Sequence, residues 1–198
     1  MLHKLEFTGE EIGISSKTEL EIPIPYSKHS VVQSDIDAVA DCLNNKPLTQ
    51  GKLVNQFEHE ISKMVNSNGT VASNSATSSL HLACLALDVK NGDIVWTTPI
   101  SFIASATAAL MCGAKIDFVD VDIKTGNIDP ELLEEKINLA KQANRLPKVL
   151  IVVHFSGRPS DMFTISSLCK KHNIKIIEDA AHSLGATQYG KLIGNCEF

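Results

Sequence analysis

The chain has 198 residues, 43% of them hydrophobic and 21% charged, with a formal net charge of −5. That length accommodates one well-cored domain, and the composition is globular rather than disordered. With no Lys/Arg cluster and no apolar run long enough to cross a bilayer, the sequence argues against a nucleic-acid or membrane partner.

Residues 1 to about 22 are charged and weakly periodic, hold no hydrophobic signal core, and read as an extension or a short edge hairpin. Regular structure is expected after Pro25. Ser34 with Asp37 resembles a capping box, and Ile36, Val39, Ala40 and Leu43 follow at helical spacing. "NNKPLTQG" breaks the chain, and Val54, Phe57, Ile61, Met64 and Val65 make a second amphipathic stripe. "TVAS" reads as a short strand leading into "SNSATSSLHLA", where Leu80, Ala83, Cys84 and Leu87 make a third stripe.

From there strands and helices alternate. "DIVWTT" is a buried strand, "SFIASATAALMCG" a helix stopped by Gly113, and "AKIDFVDVD" the next strand. Asp129-Pro130 supplies an N-cap and an N1 proline for a helix through about Ala143. "KVLIVVHF" has the continuous apolar run of a central parallel strand. Ser160 or Asp161 caps another helix, "IKIIEDAAHS" is one more strand, and "GATQYGKLIGN" a small hairpin. The order predicts an α/β fold, a mostly parallel sheet with helices on both faces. Such sheets gather ligands at the carboxyl ends of their strands. Thr97, Thr98, His154, Ser156, Glu178, Asp179 and His182 fall there, so four strand ends, that of "TVAS" included, are expected to converge on one pocket.

Three features carry chemistry. Ser73, Ser75, Thr77 and Ser78 bring hydroxyls and uncrowded N–H groups to a helix N-terminus, an arrangement that suits a phosphate. Asp179 closes an apolar strand, where a carboxylate is costly to bury without a cation. It is either a cap for the next segment or the partner of a protonated heterocycle nitrogen. Phe102 follows a strand end and a proline; it is either core or the ring that stacks on a planar cofactor. The five cysteines (Cys42, Cys84, Cys112, Cys169 and Cys196) stand singly without a CxxC. They are expected to be reduced thiols of a cytoplasmic protein and not a zinc site. No GxGxxG follows the first strand and no HxxxH pairs the histidines, which disfavours a Rossmann domain and a metal hydrolase.

"SNSATSSLHLACLAL", "GDIVWTTPISFIASATAALMCGA", "FVDVDIKTGNID", "VHFSGRP" and "IIEDAAHSLGATQYGKLIGN" together resemble the DegT/DnrJ/StrS-type sugar aminotransferases, pyridoxal-phosphate enzymes of fold type I. Within that family, "KPLTQG", "NSATS" and "TTPISF" are most similar to members that act in pseudaminic acid biosynthesis. The resemblance implies amination of a UDP-linked 4-keto sugar with glutamate as donor, by a homodimer. It places Ala76 and Thr77 on the cofactor phosphate, Phe102 on the ring face, Asp179 on the pyridinium nitrogen and His182 near the ring hydroxyl. Tyr26 and the Leu48–Gly51 segment, with Thr49, Gln50 and Gly51, fall where the family approaches the sugar nucleotide or the partner subunit.

The resemblance also implies that the Schiff-base lysine follows the Gly194 region, beyond Phe198; Lys52, Lys115 and Lys191 lie in other motifs. On that reading, residues 1–22 are an extension and 23–198 the N-terminal part of the large, cofactor-binding domain, with strand edges left uncovered. The alternative expectation is a non-catalytic or regulatory module of the same fold, kept for binding or dimerisation.

Overall fold

A computed structural model describes residues 28–195. The expected extension and Tyr26 lie outside the described residues. The chain divides into two compact units between Thr49 and Gln50. The described part of the first holds helix α1 (Gln33–Asn45). Its cap lies two residues before the expected Ser34, at Val32: Val32 donates its N–H to Asp35 Oδ2 at 2.9 Å, so Asp35 closes the capping box. Asp37 instead accepts from Gln33 Nε2, four residues back on the same helix. The stripe of Ile36, Val39 and Leu43 is exposed.

The second unit contains α2 (Lys52–Val65), α3 (Ala76–Ala86), β1 (Ile94–Thr97), α4 (Ala104–Met111), β2 (Lys115–Phe118), α5 (Pro130–Gln142), β3 (Val149–Val153), α6 (Met162–Lys171) and β4 (Lys175–Asp179). The expected strand at "TVAS" does not form. Among the described residues no strand pairs with it, and the Ala72 N–H is satisfied by Glu58 Oε1 of α2 at 2.8 Å. Strands β1–β4 make one parallel sheet in the order β2-β1-β3-β4, with β2 and β4 at its edges. The register aligns Val95 with Val149, and Val153 with Asp179.

Strand alternation sends side chains to two cores. Val95, Val149, Ile151 and Ile177 meet Leu80 and Cys84 of α3 and Ala104, Ala108 and Ala109 of α4. The three alanines let α4 lie close against both the sheet and α3. On the opposite face Trp96, Leu150 and Val152 pack against Leu133 and Ile137 of α5 and Met162, Ile165 and Cys169 of α6. All five residues of β3 are buried, as a central strand covered on both faces requires. Burial pushes the Cys84 thiol up to about 11 and the Cys169 thiol up to about 12.

The caps follow the sequence closely in this unit. Asp129 Oδ1 accepts from the Glu131 and Leu132 N–H groups, with Pro130 at the first helical position. Of the two candidates for α6, Asp161 is the cap, accepting from the Thr164 N–H at 3.2 Å. A hairpin of β5 (Thr187–Gln188) and β6 (Lys191–Leu192) turns at Tyr189 and Gly190, both with positive φ. Among the described residues no helix is long and apolar enough to cross a membrane.

Candidate cofactor site

The carboxyl edge of the sheet is where loops and helix starts can reach one another. Helix α3 has its N-terminus on that side. Its C-terminal turn leads into the start of β1, and there Lys148, just before β3, bonds the Asp88 carbonyl and forms an ion pair with Asp93. Helix α4 begins directly after β1 and so also starts at the carboxyl edge.

The α3 start is built from its hydroxyls. Ser75 is the N-cap, and its Oγ accepts from the Ser78 N–H at 3.2 Å. Ser78 Oγ in turn donates to Asn74 Oδ1, and Ser73 Oγ to the Ser75 carbonyl. The N–H groups of Ala76 and Thr77 have no hydrogen-bond partner among the described residues, and Ala76 is exposed. Two free donors at the positive end of a helix are what an anion takes up.

Asp179 ends β4 on the α3/α4 face and is 8% exposed. Its Oδ2 accepts from Ser105 Oγ of α4 at 2.7 Å, and its Oδ1 from the Ala181 N–H at 3.3 Å. Ser101 Oγ lies 2.7 Å from Ser105 Oγ. Ser105 has one proton and gives it to Asp179, so Ser101 is the donor to Ser105. No Lys, Arg or His forms an ion pair with Asp179 among the described residues. On the same face, at the end of β1, Thr97 Oγ1 is buried with no hydrogen-bond partner among the described residues.

The polar strand ends do not all converge, because neighbours on a strand face opposite ways. Glu178 points to the α5/α6 side, where its Oε2 lies 3.0 Å from His154 Nε2. His154 Nδ1 accepts the Ser160 N–H, so the ring proton sits on Nε2 and is donated to Glu178. That buried pair braces the β3 and β4 ends from behind. Asn127 ties in the β2 loop by accepting from the Phe155 N–H and donating to the Arg158 and Pro159 carbonyls.

Phe102 lies between β1 and α4 and is 75% exposed. His182 is exposed in the loop after β4, and Gly157 holds that loop close: a Cβ there would sit 2.7 Å from the His182 carbonyl oxygen. Thr49 ends the first unit, while Gln50, with positive φ, and Gly51, the N-cap of α2, begin the second. No described hydrogen bond or ion pair joins Gln50 or Gly51 to Asp179. Ser105 and Ser101 escaped the sequence reading. Their signal was two serines four residues apart, one helical turn, in an alanine-rich stretch otherwise suited to packing alone.

Among the described residues no group of three or more His, Cys, Asp or Glu is placed to hold a metal ion. The donor set suits a different guest. Free helix N–H groups and hydroxyls fit a phosphate, and a buried carboxylate lacking a cation fits a protonated ring nitrogen. These are the two ends of pyridoxal phosphate.

Known proteins resemble this chain over most of its length. A UDP-4-amino-4,6-dideoxy-N-acetyl-β-L-altrosamine transaminase of Campylobacter jejuni is 43% identical over 172 residues, covering 87% of this chain and 44% of that protein. Helicobacter pylori PseC, an aminotransferase involved in the biosynthesis of pseudoaminic acid, superposes with a TM-score of 0.79 at 32% identity, covering 86% of this chain and 44% of that one. The putative sugar aminotransferase Spr1654 of Streptococcus pneumoniae in its PLP form superposes with a TM-score of 0.75 at 28% identity, covering 86% and 46%. The chain thus spans less than half the length of these relatives. Residues 29–197 match the DegT/DnrJ/EryC1/StrS aminotransferase family, and the chain belongs to it.

Proposed function

We propose that this chain supplies the cofactor-binding part of a pyridoxal-phosphate enzyme that moves an amino group from glutamate to C4 of a UDP-linked 4-keto sugar, in a pathway of the pseudaminic acid type. The observation that carries the reading is Asp179: a buried carboxylate, fixed by a hydroxyl and an N–H, with no cation beside it among the described residues. When bound, pyridoxal phosphate supplies a protonated ring that acts as an electron sink. Asp179 accepts the hydrogen bond of the ring nitrogen and holds its proton in place. Ala76 and Thr77 offer N–H groups, and Thr77 a hydroxyl, to the phosphate. The exposed Phe102 ring is free to stack on the ring face, and His182 is assigned to the ring hydroxyl. Tyr26, Thr49, Gln50 and Gly51 are assigned to the sugar nucleotide. A homodimer in the cytoplasm completes the reading.

The test uses the complete protein that carries this chain, incubated with glutamate and a UDP-linked 4-keto sugar, with and without pyridoxal phosphate. One 2-oxoglutarate and one 4-amino sugar per turnover, only in the presence of the cofactor, is the expected result. Cofactor bound without transfer favours the binding or dimerisation module. Absence of cofactor binding overturns both.

A further inference from the structure

Ser105 is 1% exposed and sits in the first turn of α4, yet its hydroxyl does not serve that helix. A serine there ordinarily bonds to its own backbone. Here α4 has no side-chain cap, and the Ser105 proton goes instead to Asp179 Oδ2, 74 residues away, at 2.7 Å. Ser101, one turn back, donates into Ser105 at 2.7 Å, so two O–H groups in series are aimed at one carboxylate oxygen. With the Ala181 N–H on Oδ1, each oxygen of Asp179 is held by one donor. A carboxylate has about four acceptor positions, so each oxygen keeps one more lone pair for a ligand.

We infer that Ser105 is the positioning residue for Asp179. It fixes the plane of the carboxylate so that a remaining lone pair meets the protonated ring nitrogen, and Ser101 holds the Ser105 hydroxyl in the donating orientation. The inference rests on the reading of Asp179 given under the proposed function. It concerns a different atom, on a different element, and makes a separate demand: a hydroxyl at position 105, not merely a side chain of that volume.

The experiment compares the complete protein with its S105A, S105C, S105T and D179A variants. It reads the dissociation constant of pyridoxal phosphate and the 15N shift of ring-labelled cofactor, which reports the proton on the ring nitrogen; thermal melts run alongside. Loss of a hydrogen bond to a charged group predicts about tenfold weaker cofactor binding and a partly deprotonated ring in S105A and S105C. S105T, which keeps the hydroxyl, should retain the original shift. Cysteine matches serine closely in shape, so S105C carries the test should S105A not fold. Original affinity and shift in both the alanine and cysteine variants would overturn the inference, as would a threonine variant as impaired as alanine. A D179A variant with unchanged shift would instead overturn the reading of Asp179 itself.

Discussion

Asp179 holds its place through bonds to groups far apart in the chain, and its substitution separates charge from shape. In D179N the shape survives, but the negative charge is lost and one of the two accepting oxygens becomes an NH2 donor. Under the proposed function, cofactor-dependent turnover of the complete protein should fall on the order of a thousandfold, with the melting temperature little changed. A turnover near that of the unmodified protein would remove Asp179 from the chemistry. The carboxylate itself was legible in the sequence because it ends an apolar strand, where a lone charge needs a reason. Ser105 was not legible: its partner is 74 residues away, and no local pattern announces a bond that only the packing of α4 on β4 creates.

Elements that close a turn locally were the readable ones. Asp129-Pro130 and Asp161 announce their helices because cap and capped N–H groups lie within three residues of each other. "TVAS" misled because strand propensity says nothing about whether a partner strand is present. Two substitutions test how the elements frame the site. S75A removes the α3 cap and should lower stability by about 1 kcal/mol, read from urea unfolding. It should also weaken inorganic phosphate or cofactor binding by loosening the turn that presents Ala76 and Thr77. G157A places a Cβ at φ +83 and 2.7 Å from the His182 carbonyl oxygen, so the loops after β3 and β4 must part. The expected cost is roughly 1–3 kcal/mol in the same measurement. A variant as stable as the original would mean that these loops do not need the close approach.

For the molecule as a whole, the two cores protect their cysteines differently from the surface. The buried thiols of Cys84 and Cys169, pushed up to about 11 and about 12, hold little thiolate at pH 8. Alkylation of the native protein at that pH, followed by mass spectrometry, should mark Cys42 and Cys112 first. Cys84 and Cys169 should react only after denaturant is added. Rapid labelling of Cys169 without denaturant would show that the α5/α6 core opens readily.

The strand order β2-β1-β3-β4 also predicts an order of assembly. β1 and β2 are joined through α4, and β3 and β4 through α6, so each pair closes over a short span of chain. The β1–β3 pairing spans a longer loop and is expected to form later. Ser105 belongs to the first pair and Asp179 to the second, so their bond exists only once the two halves of the sheet have met. Under the proposed function, the anchor for the cofactor is expected to be finished late, after the scaffold it stands on. Pyridoxal phosphate added during refolding should leave the folding rate unchanged and slow unfolding, acting as a latch on chains already assembled.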